Sequence, residues 1–277
     1  MANLEPHFFV FKVLESIRPR PAISVAGEPP IFMNNASVQT GAPPAPKTLP
    51  ARFIGIITSP RETFESIVAH PKWLGMLVVT TLIVMAGTVL PMTTDAGRDA
   101  ALEAQVRQME SFGMQVNDEM YAQMRSRMGI APYTTGGGVL IMTPIITLVM
   151  AGILFAIFNA AMGGTASFKQ VYSVVVHAGA ISALGQLFTG PLNYFRGTMT
   201  SATNLSVLLP MLPEGSFIAR LAGMIDLFVV WWVFVLAIGL AVLYRRRTQS
   251  VAMTLFGIYA VIALSVAAVM SRLGGTH

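Results

Sequence analysis

One carboxylate, Asp226, lies inside an apolar stretch that runs from Ala222 to Tyr244. An ionisable group in such a stretch is either a functional site, for a proton, an ion or a solute, or a polar group that holds neighbouring helices together. No second carboxylate and no cation faces Asp226 within an apolar segment. The second interpretation is therefore favoured.

Three further polar side chains fall within apolar segments: Gln186, His177 and Asn159. At a rise of about 1.5 Å per helical residue, Gln186 lies at the depth of Asp226 in the outer half of the membrane. His177 and Asn159 both fall in the inner half. We predict that Asp226 pairs with Gln186 or with water, and that His177 pairs with Asn159.

The residues that commonly perform catalysis or bind metals are absent or unsuitably spaced. The chain has no cysteine, which excludes disulfides, thiolate metal sites and a cysteine nucleophile. Its four histidines lack metal-ligand spacing, and no nucleophile elbow, zinc-protease helix or phosphate loop occurs. Aspartyl intramembrane proteolysis would need a second carboxylate. We expect no enzymatic activity, no cofactor and no metal.

The composition identifies the elements that must position these side chains. Of 277 residues, 54% are hydrophobic and 11% are charged, whereas soluble domains are about a quarter charged. Runs of about twenty apolar residues predict transmembrane helices. The predicted fold is all-α, an integral membrane bundle of five transmembrane helices, at residues 73–92, 138–162, 170–192, 219–244 and 250–271.

Basic residues predict the orientation of the bundle in the membrane, because they are enriched in cytoplasmic loops. Three of them, Arg245, Arg246 and Arg247, separate the fourth and fifth spans, whereas the loop 93–137 has more acidic than basic residues. We predict a cytoplasmic amino terminus and an extracytoplasmic carboxyl terminus. The net charge of +5 then reflects topology, and no nucleic-acid partner is expected.

Two segments before the first span have different expected structures. Residues 1–50 are rich in proline and predict a disordered cytoplasmic tail; translation from Met33 would leave residues 1–32 out of the mature protein. Residues 51–72 predict an interfacial amphipathic helix with a capping box from Ser59 to Glu62. Its apolar stripe could lie in the headgroup layer or pack on the bundle.

The outer loop 93–137 predicts two short amphipathic helices, the second capped by Asn117. Along the second helix Met120, Met124 and Met128 recur at every fourth position. Such a row of thioethers either fills an apolar surface or binds soft cuprous or silver ions. The packing interpretation is favoured.

The second and third spans are joined by a short turn with local signals for helix ends. Gly163 and Gly164 can close the second span in the left-handed conformation. Ser167 and Gln170 then form a Ser-x-x-Gln capping box that opens the third span. The two spans are therefore expected to form a tight inner hairpin.

Three stretches, SPRETFESIVAHPKW, GGTASFKQVYSVVVHAG and IDLFVVWWVFVLAIGLAV, resemble the Yip domain of the Ypt/Rab-interacting membrane proteins in its bacterial form. The resemblance covers residues 52–271, and its most specific part is the turn of Gly163, Gly164, Ser167 and Phe168. It implies a five-span core with a cytoplasmic amino terminus, in a bacterial inner membrane. Eukaryotic relatives engage prenylated small GTPases, but no part of the tail resembles a GTPase-binding motif.

These observations predict a non-catalytic membrane organiser, adaptor or accessory subunit that recruits lipid or a protein partner at its cytoplasmic face. The arginines 245–247 would face anionic lipid there. Expected partners are the bilayer, other membrane-protein subunits or a second copy of the chain. The alternative function is a transporter of a small solute or ion that uses Asp226 and His177.

Overall fold

The computed structural model describes residues 45–199, 201–209, 211–212 and 216–273. The possible start at Met33 and most of the predicted tail lie outside these ranges. The last part of the predicted tail does not continue as a disordered segment. Its final residues, Leu49 and Pro50, open the first described helix.

The described residues form helices without a strand, which confirms the all-α class; a single isolated bridge joins Asn204 and Asp226. A 3₁₀ turn, Leu90–Thr93, and a π-helical turn, Ala156–Ala161, each extend the α-helix that precedes them. The α-helices are α1 (Leu49–Thr58), α2 (Pro60–Ala69), α3 (Leu74–Val89), α4 (Asp95–Ser111), α5 (Asp118–Ser126), α6 (Ala131–Phe155), α7 (Phe168–Ala178), α8 (Ala180–Arg196), α9 (Phe217–Met224), α10 (Leu227–Leu243) and α11 (Thr248–Leu273).

Four helical segments of the described chain are long and apolar enough to cross a membrane. They are Leu74–Thr93, Asp118–Ala161, Phe168–Arg196 and Thr248–Arg272. The predicted span 219–244 is not one continuous helix, because α9 ends at Met224 and α10 begins at Leu227. The intervening Ile225 and Asp226 have extended backbones. Two shorter apolar helices of the described chain remain, α1 with 10 residues and α10 with 17.

The core is centred on α7, in which every residue from Val171 to Ala178 is buried. Helices α2, α6 and α10 pack around it. This placement decides between the two locations proposed for the amphipathic helix. The Phe64 and Ile67 side chains of α2 are 0% exposed, so the apolar stripe of α2 packs on the bundle.

The amphipathic helix begins after Ser59, as predicted, because α2 starts at Pro60. Residues 49–58 form a further helix, α1, which was not predicted. The Ser59 amide donates to the Gly55 carbonyl at 2.9 Å and so ends α1. Since that amide is occupied, the Glu62 carboxylate cannot use it, and the Ser59 side chain makes no capping bond. Glu62 instead forms an ion pair of 2.9 Å with Lys47. The predicted capping box at this position is wrong.

Between α3 and α6 the chain forms α4 and α5. The Asn117 side chain accepts a hydrogen bond of 2.8 Å from the Met120 amide at the start of α5. Helix α5 has no buried residue, and the side chains of Met120, Met124 and Met128 are half-buried.

Candidate functional site

The turn between α6 and α7 has the local structure that its residue types predict. Gly163 adopts a left-handed backbone with φ of 69°, which a residue without a Cβ adopts readily. The Ser167 amide donates to Gln170 Oε1 at 3.0 Å, and the Gln170 amide donates to Ser167 Oγ at 3.3 Å. The capping box is therefore complete, and it starts α7.

Asn159 connects this turn to the end of α10 rather than to His177. Its Nδ2 donates to the Ala166 carbonyl at 2.7 Å, and its Oδ1 accepts from the Tyr244 hydroxyl at 2.7 Å. The Tyr244 ring stacks on Phe158 with centroids 5.0 Å apart. Both ends of the Asn159 amide are satisfied by these partners, so the predicted pair of His177 with Asn159 is wrong.

Gly164 is required because the Tyr244 ring contacts it directly. A Cβ at position 164 would overlap the Cε1 and Cδ1 atoms of that ring. Any larger residue would push Tyr244 away from Asn159. The second glycine therefore gives the aromatic ring room, whereas the first gives the backbone its turn.

Two more hydrogen bonds join the turn to neighbouring segments. Gln170 Nε2 donates to the Val68 carbonyl near the end of α2 at 3.3 Å. Arg246 Nη2 donates to the Met162 carbonyl at the end of the second long helix at 3.0 Å. We call the surface made by residues 163–170, residues 244–247 and Val68 the turn platform.

The turn platform is exposed and basic. Arg245, Arg246, Arg247 and Lys169 are all exposed, and none of the four takes part in an ion pair within the described ranges. Phe168 is 39% exposed, with its ring stacked on Tyr172 at 6.2 Å. A cavity of about 490 Å³ lies between the turn and the arginines. This arrangement suits an anionic ligand or an acidic protein surface.

Asp226 lies at the other end of the bundle, as the residue that caps α10. Its Oδ1 accepts from the Phe228 and Val229 amides at 2.8 and 3.3 Å. Its Oδ2 accepts from the Ser201 and Thr203 hydroxyls at 2.9 and 2.5 Å. These four donors, rather than Gln186, satisfy the carboxylate, so the predicted pairing with Gln186 is wrong.

Gln186 nevertheless lies close to Asp226, because both residues line the same cavity of about 500 Å³. Thr88 and Asn193 also line this cavity, which lies between α3, α8 and the start of α10. A carboxylate at the start of a helix is stabilised by the helix dipole and by the free amides. Asp226 therefore serves mainly as the amino-terminal cap of α10.

His177 lies in the core, where its side chain is 0% exposed. Its Nδ1 is 2.7 Å from the Ser173 carbonyl oxygen, one turn earlier in α7. Its Nε2 has no hydrogen-bond partner in the part of the chain that the structure describes. His177 faces a groove that also contains Arg52 and Lys72.

Arg52 is a functional candidate that the sequence patterns do not single out. It is 4% exposed, and burial lowers the pKa of its guanidinium from the ordinary value. Arginine remains protonated in proteins nonetheless. A charged residue inside an otherwise apolar short helix was the available signal, but only the packing of α1 shows that Arg52 is buried.

Comparison with known proteins agrees with the resemblance of the three stretches. The family model described as the Yip1 domain matches residues 54–270. Membrane protein YknW of Bacillus subtilis (strain 168) is 26% identical over 216 residues, which cover 76% of this chain and 88% of that protein. No solved structure matches the chain significantly. The matched range contains Asp226 and the whole turn platform.

Proposed function

This chain belongs to the Yip1 domain family of membrane proteins, and on that premise we propose that it is a non-catalytic membrane adaptor whose turn platform recruits a protein partner or anionic lipid. The observation that supports this function best is the joining of separate helix ends into one surface. Tyr244 and Arg246 bond to the end of the second long helix, and Gln170 bonds to α2. A surface held in this way is preorganised, which reduces the entropy that binding must overcome.

The charge of the turn platform supports the choice of ligand. Residues 163–170 and 244–247 contain four basic residues and no acidic residue. Each basic residue near an anionic membrane surface contributes about 1 kcal/mol of attraction. The same charges would steer an acidic protein partner to this surface.

The proposed topology has five crossings with the turn platform in the cytoplasm. At about 1.5 Å per residue, a helix the length of α10 reaches roughly 25 Å, close to the hydrocarbon thickness. At the end of the bundle opposite the turn platform, α4 contacts α11. Arg220 also donates a hydrogen bond to the Ser111 carbonyl there. The arginine block and the positive-inside rule then favour a cytoplasmic platform and an extracytoplasmic carboxyl terminus, in a bacterial inner membrane.

Affinity purification in mild detergent, followed by quantitative mass spectrometry, tests the adaptor function. The double variant Arg245→Gln/Arg247→Gln removes two platform charges but retains Arg246, which bonds to Met162. The double variant Arg125→Gln/Arg127→Gln removes two charges from the region of α5 and is the matched control. We expect a stoichiometric partner or a retained anionic lipid to be lost only from the platform variant. Equal recovery from both variants would contradict the proposal.

The transport alternative is supported by the cavity that Gln186 and Asp226 share. It is weakened by the four donors that already satisfy Asp226 and by the location of His177 in a separate groove. A solute that raises the melting temperature of the wild-type chain but not of Gln186→Ala would favour transport. No such solute is expected under the adaptor proposal.

A further inference from the structure

A second basic site lies apart from the turn platform, in a groove of about 470 Å³ between the start of α1, the start of α3 and α7. We call it the Arg52 groove. The side chains that matter for its chemistry are those of Thr48, Arg52, Lys72 and His177. Each supplies a separate observation about the ligand that the groove would accept.

Arg52 supplies a buried positive charge. Its Nε donates to the Lys47 carbonyl at 2.9 Å, and its Nη1 donates to the Lys72 carbonyl at 3.1 Å. These carbonyls orient the guanidinium but do not neutralise it, and no carboxylate pairs with it among residues 45–273 that are described. A desolvated cation of this kind attracts an anion strongly.

His177 supplies a buried acceptor. The Ser173 carbonyl can only accept, so the His177 Nδ1 atom carries the proton in their 2.7 Å hydrogen bond. In the neutral imidazole, Nε2 then presents a lone pair. That atom is buried and has no partner within the described residues. A ligand beside it therefore needs a hydroxyl or another donor.

The remaining edge of the groove is also positive. Thr48 precedes α1, but its side chain makes no capping bond, so the positive end of the helix dipole is not offset there. Lys72 is exposed and belongs to none of the ion pairs between described residues. The groove thus places two cations, Arg52 and Lys72, and the start of α1 near one polar acceptor, His177 Nε2.

We propose that the Arg52 groove binds a phosphate group that carries or adjoins a hydroxyl. The phosphate oxygens would be bound by Arg52 and Lys72, and the hydroxyl would donate to His177 Nε2. Two sources offer this chemistry: the headgroup of an anionic glycerol lipid, and free hydrogen phosphate. The headgroup fits the surroundings well, since Leu74, Val78 and Leu82 form an exposed apolar row along α3 from the same end.

The test uses the full chain in phosphatidylcholine nanodiscs, with thermal unfolding and native mass spectrometry as readouts. The probes are phosphatidylglycerol in the bilayer and inorganic phosphate in solution. Lys72→Gln removes an exposed cation from the groove without removing a buried contact. Arg61→Gln removes an exposed cation of α2 that lies in neither the Arg52 groove nor the turn platform and is the matched control. His177→Leu removes the buried acceptor.

We expect one of the two probes to stabilise the wild-type chain and the Arg61→Gln variant equally. The affinity for that probe should fall about tenfold in Lys72→Gln, as expected for loss of a hydrogen bond to a charged group. It should also fall in His177→Leu. An effect of phosphatidylglycerol alone identifies a lipid headgroup, and an effect of phosphate identifies a soluble ligand. Equal affinities in Lys72→Gln and Arg61→Gln, or no stabilisation by either probe, would overturn the proposal. The turn platform could still recruit its partner in that case.

Discussion

The Tyr244 hydroxyl donates a hydrogen bond of 2.7 Å to Asn159 Oδ1, across 85 positions of the chain. This bond joins the end of α10 to the π-helical turn that follows α6. The stacking of Tyr244 on Phe158 and its contact with Gly164 depend on the same placement. The pair of Tyr244 and Asn159 is thus the central connection of the turn platform.

Tyr244→Phe should lower the free energy of unfolding by about 1 kcal/mol, because it removes this hydrogen bond and leaves Asn159 Oδ1 without its donor. The aromatic stacking would remain. Chemical unfolding in detergent measures the difference. Tyr133→Phe is the control, since the Tyr133 side chain is 81% exposed. Equal stability of the two variants would show that the hydrogen bond contributes nothing.

Gly239→Ala should destabilise the chain by about 1–3 kcal/mol, the typical cost of overpacking a core. A Cβ at this position would lie 2.6 Å from Val174 Cγ1 and 2.9 Å from Phe64. It would push α2 and α7 away from α10. Gly257→Ala, in α11, has no heavy atom within 4 Å of its new Cβ and should be neutral or mildly stabilising. Equal stability of the two variants would contradict the close packing of α10 against α2 and α7.

The Asp226→Asn and Asp226→Leu variants should differ in stability. Asparagine retains an acceptor for the Phe228 and Val229 amides and caps helices about as well as aspartate does. Leucine removes the cap and leaves the Ser201 and Thr203 hydroxyls without their acceptor, at a cost of about 2–4 kcal/mol. Thermal unfolding in the same detergent compares the two. Equal loss of activity in both variants, with normal folding, would indicate that the charge itself has a role.

The local features of the candidate site could be predicted from the sequence, whereas its long-range partners could not. The left-handed Gly163 and the box of Ser167 with Gln170 depend on residues within one turn, and both are present. The Ser59 box failed because its amide already ends the preceding helix. The positions of the predicted transmembrane helices indicate how deep in the membrane a side chain lies. They do not indicate which helix or loop lies beside it.

Asp226 illustrates the same limit for the fold. Its apolar neighbours predicted an uninterrupted span, but the carboxylate begins a new helix because two free amides and two hydroxyls surround it. The hydroxyls come from a polar loop 23 and 25 positions earlier. Hydropathy carries no information about such a pairing. The four long apolar helices, by contrast, follow directly from composition.

The absence of cysteine allows a direct test of topology. Thr165→Cys places a thiol on the turn platform, and Gln123→Cys places one on α5; both positions are exposed. A membrane-impermeant thiol reagent should label Gln123→Cys in intact spheroplasts. It should label Thr165→Cys only after the membrane is opened. Labelling of both thiols in intact spheroplasts would contradict an odd number of crossings between α5 and the turn platform.

The most direct test of the adaptor function is photo-crosslinking in the native membrane from one platform position. A photoreactive amino acid at Thr165 should give a discrete adduct with a protein or an anionic lipid, identified by its mass. That adduct should be lost when Arg245 and Arg247 are both changed to Gln, and the same probe at Gln123 should not form it. An absence of any adduct at Thr165, or the same adduct from both positions, would contradict recruitment by the turn platform.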